Sequence, residues 1–255
     1  MFAEIIASIK DWLNRKSIED AHNKAKVLSI GEEIILGRRE PPIGPYVEHP
    51  LHKQRLIQYA KNVQEVKASD IDTIAFGDSL IDIPRNDWTQ INEKVNFAIS
   101  GSWANHMQQM AVEISPILKM KGIEPKNVII GTLGGNPLLA YQNVDATISI
   151  SINCLDKIRE LFPSAKIIVY GLPPVYNAWA TKYSLKFEGK MYEWVNKDVN
   201  AVFIPIFSNF GSGVLYSTPN IQNSSDGVHL SNTGVVKLDK LFKRAKSATP
   251  KSIID

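Results

Sequence analysis

Residues Thr73–Asp82 read TIAFGDSLID. The apolar run Ile74-Ala75-Phe76 stops at Gly77. An acid, a hydroxyl and a fresh apolar pair, Leu80 and Ile81, follow it. An apolar run closed by glycine predicts a buried strand passing into a turn. An Asp or Ser just past that turn predicts a helix start. Ser79 therefore belongs where a strand hands over to a helix. At such a place a side chain faces solvent while backbone N–H groups point at an incoming anion. Two roles fit its hydroxyl: a helix cap, the commoner use of serine there, or a nucleophile.

Outward from this stretch the chain becomes regular. Apolar, β-branched runs recur at Ile71–Phe76, Val95–Ile99, Asn127–Ile130, Lys166–Tyr170 and Val199–Ile206. Helical periodicity fills the gaps at His106–Met120, Asp145–Phe162, Tyr176–Lys197 and Ser231–Lys246. Strand alternating with helix predicts an α/β fold, a three-layer αβα sandwich on a flavodoxin-like parallel sheet of about five strands. In such sheets ligands bind at the carboxyl ends of the strands.

Residues 1–69 read as a helical lead-in packed on a main domain of residues 70–255. Phe2, Ile5, Ile6, Ile9, Trp12 and Leu13 fall at helical spacing with charges of both signs between them. Without a basic excess this amphipathic face suits the protein body or a second copy of the chain better than a membrane. Ala25–Leu36 fits helix or strand. Arg38–Pro50 carries four prolines and predicts an irregular connection. Helical spacing then resumes around Leu51–Val63.

Composition narrows the function. The 255 residues carry 29 basic and 26 acidic side chains, well scattered, which excludes a nucleic-acid footprint. The one cysteine, Cys154, rules out an internal disulfide and reads as a small core residue. No apolar run approaches the roughly 20 residues that span a bilayer. The N-terminus lacks the pattern of an export signal, so a cytoplasmic protein is expected. No histidine pair has metal-ligand spacing around an acid, and Cys154 is solitary, so a dedicated zinc site is not expected.

Each predicted strand end carries glycine or a polar residue. These are Gly77-Asp78-Ser79, Ser100-Gly101-Ser102, Gly131–Asn136, Gly171–Pro174 and finally Asp226-Gly227-Val228-His229-Leu230-Ser231. Asp226 and His229 stand three apart before a helix. In a turn, a carboxylate at that spacing reaches the near ring nitrogen and fixes the tautomer. A hydroxyl at the far nitrogen then loses its proton and attacks a carbonyl. A helix-start acid and a surface histidine fit the pair equally, and more often. His106 is the rival base. His22, His49 and His52 fall in the lead-in, away from any strand end. Phe207, Phe210, Tyr216, Tyr176 and Trp179 either line a substrate slot or, more commonly, pin loops to the core.

Four blocks in one order give the strongest signal: FGDSL at Phe76–Leu80, ISGS at Ile99–Ser102, GGN at Gly134–Asn136 and DGVHLS at Asp226–Ser231. In these the chain resembles the SGNH hydrolases, the GDSL lipase/esterase family, over about Asp70–Lys246. The resemblance implies a serine esterase or acylhydrolase working through an acyl-enzyme. It makes Ser79 the nucleophile, His229 the general base and acid, and Asp226 its orienter. The oxyanion hole would be the N–H groups of Ser79 and Gly101 with the Asn136 amide, and Asp78 a brace beneath Ser79. Donors of this kind are worth about 3–4 kcal/mol each. The substrate would be a small-molecule ester or an acylated carbohydrate or lipid. One departure stands out: Pro137 follows Asn136 where the family pattern leads to an acid. Proline restricts Asn136 to extended backbone and removes the expected brace. A non-catalytic module binding an acylated sugar or lipid is the alternative. A phosphate cradle at Gly131–Gly135 is weaker, because no Lys-Ser/Thr pair follows.

Overall fold

The computed structural model describes residues 49–173, 175, 178–210 and 228–252. The opening amphipathic segment, Ala25–Leu36, most of the proline-rich connection, Tyr176, Tyr216 and Asp226 lie outside these.

Among the described residues four parallel strands form one sheet: β1 (Thr73–Gly77), β2 (Asn127–Gly131), β3 (Lys166–Tyr170) and β4 (Ala201–Ile204), in the order β1-β2-β3-β4. The register pairs Thr73 with Asn127, Asn127 with Lys166, and Ile167 with Ala201. Apart from Lys166, every strand residue is buried, which is why these strands read as unbroken apolar runs rather than alternating ones.

The fifth expected strand, Val95–Ile99, is not one. Glu93–Val95 forms a 3-10 turn, and Asn96 makes only an isolated bridge to Ala75. Phe97 and Ile99 still donate N–H to Ala75 and Gly77 at 2.8 and 3.1 Å, so the segment runs beside the free edge of β1. Asn96 explains the break. Its amide turns aside to the Ile81 carbonyl and its oxygen takes the Ala98 N–H, so local side-chain bonds replace a ladder. The chain thus goes from β1 to one side and then back to β2 on the other. Between these neighbours lies the switch point of an open α/β sheet.

The helices are α1 (His52–Glu65), α2 (Ser79–Asp82), α3 (Ala104–Met120), α4 (Gly135–Leu139), α5 (Val144–Leu161), α6 (Ala178–Lys197), α7 (Ile206–Asn209) and α8 (Asn232–Ser247). On one sheet face Ala75, Ile129, Ile168, Tyr170, Val202 and Ile204 pack with Val235, Leu238, Leu241 and Phe242 of α8. Side chains alternate along a strand, so Ile74, Phe76, Val128, Ile130, Ile167 and Val169 turn to the other face, where α3 and α5 lie against each other. That gives the three layers. Helix α1 packs on α3. Cys154 of α5 is fully buried, and burial pushes its thiol well up, as befits a core residue. No described helix is long and apolar enough to cross a membrane.

Candidate active site

Ser79 is the first residue of α2, directly beyond the carboxyl end of β1. Asp78, not Ser79, is the cap: its Oδ1 accepts the Leu80 N–H at 3.0 Å. The cap role proposed for the serine is therefore filled by its neighbour, and among the described residues the Ser79 hydroxyl makes no hydrogen bond. Ser79 is 8% exposed. It faces a narrow cavity with Thr132 and Asn136 as polar lining and Leu80, Leu139, Leu172 and Val228 as apolar lining.

Asp78 is 3% exposed beneath Ser79. Burial raises its carboxyl to about 6, against the Thr132 hydroxyl, the Leu80 N–H and the nearby His229, which all favour the charged form. The Thr132 hydroxyl donates to Oδ2 at 2.5 Å. Nothing in the sequence singled out Thr132. The only signal was a hydroxyl one residue beyond the end of the neighbouring strand. Gly135 makes room for this bond, since a Cβ there would stand 2.5 Å from Thr132 Oγ1.

Asn136 departs from expectation. It is helical, the second residue of α4, rather than extended. Pro137 sits in the first turn of that helix, where a missing N–H costs no intrahelical bond. The Asn136 amide donates to the Ser102 carbonyl at 2.9 Å and lies 3.5 Å from Asp78 Oδ2. The loop is therefore braced by Asp78 and Ser102 where the family pattern would place an acid.

Gly101 lies in the turn after Ile99 with φ +84°, a left-handed conformation that favours glycine. The preceding Ser100 is held from two sides. Its N–H and hydroxyl donate to Asp82 Oδ2 at 2.9 and 2.8 Å. Its carbonyl meets Nε2 of His49 at 3.1 Å. His49 thus reaches the turn that follows the Val95–Ile99 segment, contrary to expectation. Its position before α1, which packs on α3 next to this turn, brings it there, a proximity sequence distance hides. Asp82, on the last residue of α2, also takes Arg85 at 2.7 Å and faces Arg55 at 3.5 Å. Burial alone would raise its carboxyl. The Arg85 and Ser100 donors overcome that and hold it below the ordinary carboxylate value.

His229 is half-buried, two residues before the Ser231 cap of α8. Val228 beside it shares the cavity wall with Ser79, and its ring is near enough for its charge to act on Asp78. No hydrogen bond joins the Ser79 hydroxyl to the His229 ring in this structure. The rival base, His106, is tied up: its Nδ1 accepts the Trp103 N–H at 3.0 Å. Among the aromatics, Trp179 is buried with Nε1 donating to the Gln142 carbonyl, and Phe210 lies in the core under α8. Both pin loops. No cluster of three metal-ligating side chains occurs among the described residues.

No known family's model matches the sequence, and no curated protein matches it. Solved structures do. A protein from Streptococcus pneumonia described as a platelet activating factor shares 16% identity over 76% of this chain and 92% of its own, with TM-score 0.57. One from Bacteroides fragilis described as an acylhydrolase shares 16% over 75% and 95%, with TM-score 0.57. A GDSL-like lipase from Bacteroides thetaiotaomicron shares 17% over 77% and 97%, with TM-score 0.54. The chain has the SGNH-hydrolase fold, as its four sequence blocks implied.

Proposed function

We propose that this protein is a serine hydrolase of carboxylic esters. One observation carries the reading: a serine at a strand-to-helix junction, its hydroxyl without a hydrogen-bond partner among the described residues, opens onto a cavity shared with Asn136 and the His229 segment at the sheet's switch point. The similar structures from Bacteroides, a lipase and a protein described as an acylhydrolase, agree with this chemistry.

In the proposed mechanism the ester carbonyl sits over Ser79. His229 takes the Ser79 proton as Oγ bonds to the carbonyl carbon. Asp226 holds the imidazole in the required tautomer and stabilises the imidazolium. Negative charge moves to the carbonyl oxygen, where the N–H groups of Ser79 and Gly101 and the Asn136 amide receive it. Collapse breaks the ester C–O bond, and the alcohol leaves with the proton from His229. Water, deprotonated by the same ring, then releases the acid and restores Ser79. The Leu80, Leu139 and Leu172 side chains suit the acyl portion. No cofactor enters these steps.

Fluorophosphonate labelling tests the proposal. The wild-type chain labels at Ser79 and hydrolyses p-nitrophenyl acetate; Ser79→Ala loses labelling and about 10⁴-fold or more of kcat. A wild-type chain that resists the label defeats the reading. A series of esters from acetyl to lauroyl then separates carbohydrate-type from lipid-type substrates.

The second reading, a binder of acylated sugar or lipid without turnover, is favoured by the commitment of the Asn136 amide to the Ser102 carbonyl. An activated ester distinguishes it, since a binder yields no burst of p-nitrophenol.

A further inference from the structure

His49 is 9% exposed, and its ring carries two hydrogen bonds of opposite sense. Leu51 donates its N–H to Nδ1 at 3.1 Å, so Nδ1 is the unprotonated acceptor. The proton of the neutral ring therefore sits on Nε2, which donates to the Ser100 carbonyl at 3.1 Å. Burial pushes the ring's pKa below its ordinary value, with His52 and Arg55 adding to the effect and the Ser100 bond opposing it. The ring edge packs against His106, centroids 5.3 Å apart at 79°.

The Ser100 carbonyl belongs to the same peptide unit as the Gly101 N–H. In a trans peptide the two point in opposite directions and share one conjugated system. A donor on the carbonyl therefore polarises the N–H and fixes the direction in which it points. The residue that carries this carbonyl is anchored on its other side as well, because Asp82 holds the Ser100 hydroxyl and the N–H of the preceding peptide unit. The left-handed backbone of Gly101, φ +84°, leaves the peptide free to flip without such a grip. A Cβ at Gly101 would stand 3.6 Å from His49 Nε2, which shows how closely the ring lies over the turn.

We infer that His49 is a positioning residue of the oxyanion hole: through the Ser100 carbonyl it orients and polarises the Gly101 N–H toward the developing oxyanion. The inference rests on the proposed role of Gly101 as an oxyanion donor. It gives the segment preceding α1 a part in catalysis without contact to substrate. It also accounts for a buried histidine that neither the base nor its orienter requires. His49 adds no donor to the hole. It preorganises one that is already there, and its effect is smaller than the hundred- to thousandfold that follows removal of a donor.

Two variants of the full chain test it. His49→Phe keeps an aromatic ring and loses the donor; His49→Gln places an amide N–H where Nε2 stood. His49→Phe lowers kcat for p-nitrophenyl acetate about tenfold with KM within about twofold, and His49→Gln recovers most of that loss. In ¹⁵N-labelled protein the Gly101 amide proton moves upfield in His49→Phe and returns in His49→Gln. Unchanged kcat together with an unmoved Gly101 resonance in His49→Phe overturns the inference. So does a loss that His49→Gln leaves uncorrected and that tracks a fall in Tm, which marks simple packing. If the wild-type chain hydrolyses no ester while the Gly101 resonance responds as described, the esterase reading fails and the His49 grip stands.

Discussion

Two walls flank Ser79, and each is built on an aspartate from the same short stretch of chain. Toward β2 stands Asp78, one residue before the serine. Toward the Ser100 turn stands Asp82, three residues after it. Both are buried, at 3% and 8% exposure. Their carboxyls are nevertheless driven in opposite directions, Asp78 up to about 6 and Asp82 below its ordinary value. Burial acts on both alike. The difference lies in the company: Asp78 has a threonine hydroxyl and one backbone N–H, whereas Asp82 has two arginines as well as the Ser100 hydroxyl and N–H. Polar donors without a cation leave a dry carboxylate under-compensated; guanidinium groups reverse the balance. The Asp78 wall is thus a brace of polar donors without a cation, and the Asp82 wall an ionic clamp.

The largest effect belongs to the clamp. Asp82→Ala leaves Arg85 and Arg55 facing a hole and frees the Ser100 turn, so urea unfolding at neutral pH records a loss of about 3 kcal/mol. A loss below about 1 kcal/mol would place Asp82 with exposed surface pairs and erase the contrast.

The next effect concerns pH and separates the walls by sign. Asp78 binds its proton more tightly when folded, so its contribution is full below pH 3.8 and is lost as pH rises through about 6. Above that pH the charged, buried carboxylate costs about 3 kcal/mol at most. Asp82 runs the other way: its contribution is present above 3.8 and is lost as pH falls through its lowered value. Asp78→Asn is therefore expected to gain stability relative to the wild-type chain between pH 4 and pH 7, read from unfolding midpoints across that range. Parallel curves for the two proteins would show that Asp78 is not under-compensated.

The smallest effect sharpens the brace. Thr132→Val keeps the shape and deletes the hydroxyl that donates to Asp78, lowering stability by about 1–2 kcal/mol at neutral pH. Combined with Asp78→Asn its effect departs from the sum of the two single changes, because both act on one interaction.

Some of this organisation was legible in the chain itself. Unbroken apolar runs at Ile74–Phe76, Val128–Ile130 and Ile167–Val169 announced strands buried on both faces, because only a parallel sheet covered by helices needs such runs. Helices α3, α5 and α8 followed from apolar residues at helical spacing, each within two residues of its expected start. Val95–Ile99 misled because Asn96 spends its amide locally, and periodicity does not record where a side chain bonds. Asn136 misled because the proline ring disfavours a helical residue before it without forbidding one, and in a first turn Pro137 itself loses no intrahelical bond.

The sequence by itself determined the layers, the parallel sheet and Ser79 at a strand end, since these follow from local polarity and spacing along one stretch of chain. Only the tertiary structure decided that Asp78 caps the helix in place of Ser79, that Thr132 is its partner, and that Asp82 and His49 close on Ser100 from two sides. Those pairings join residues 18, 51 and 54 positions apart. What selects them is which buried polar groups find donors within reach once the layers have packed, and that choice is made in space rather than along the chain.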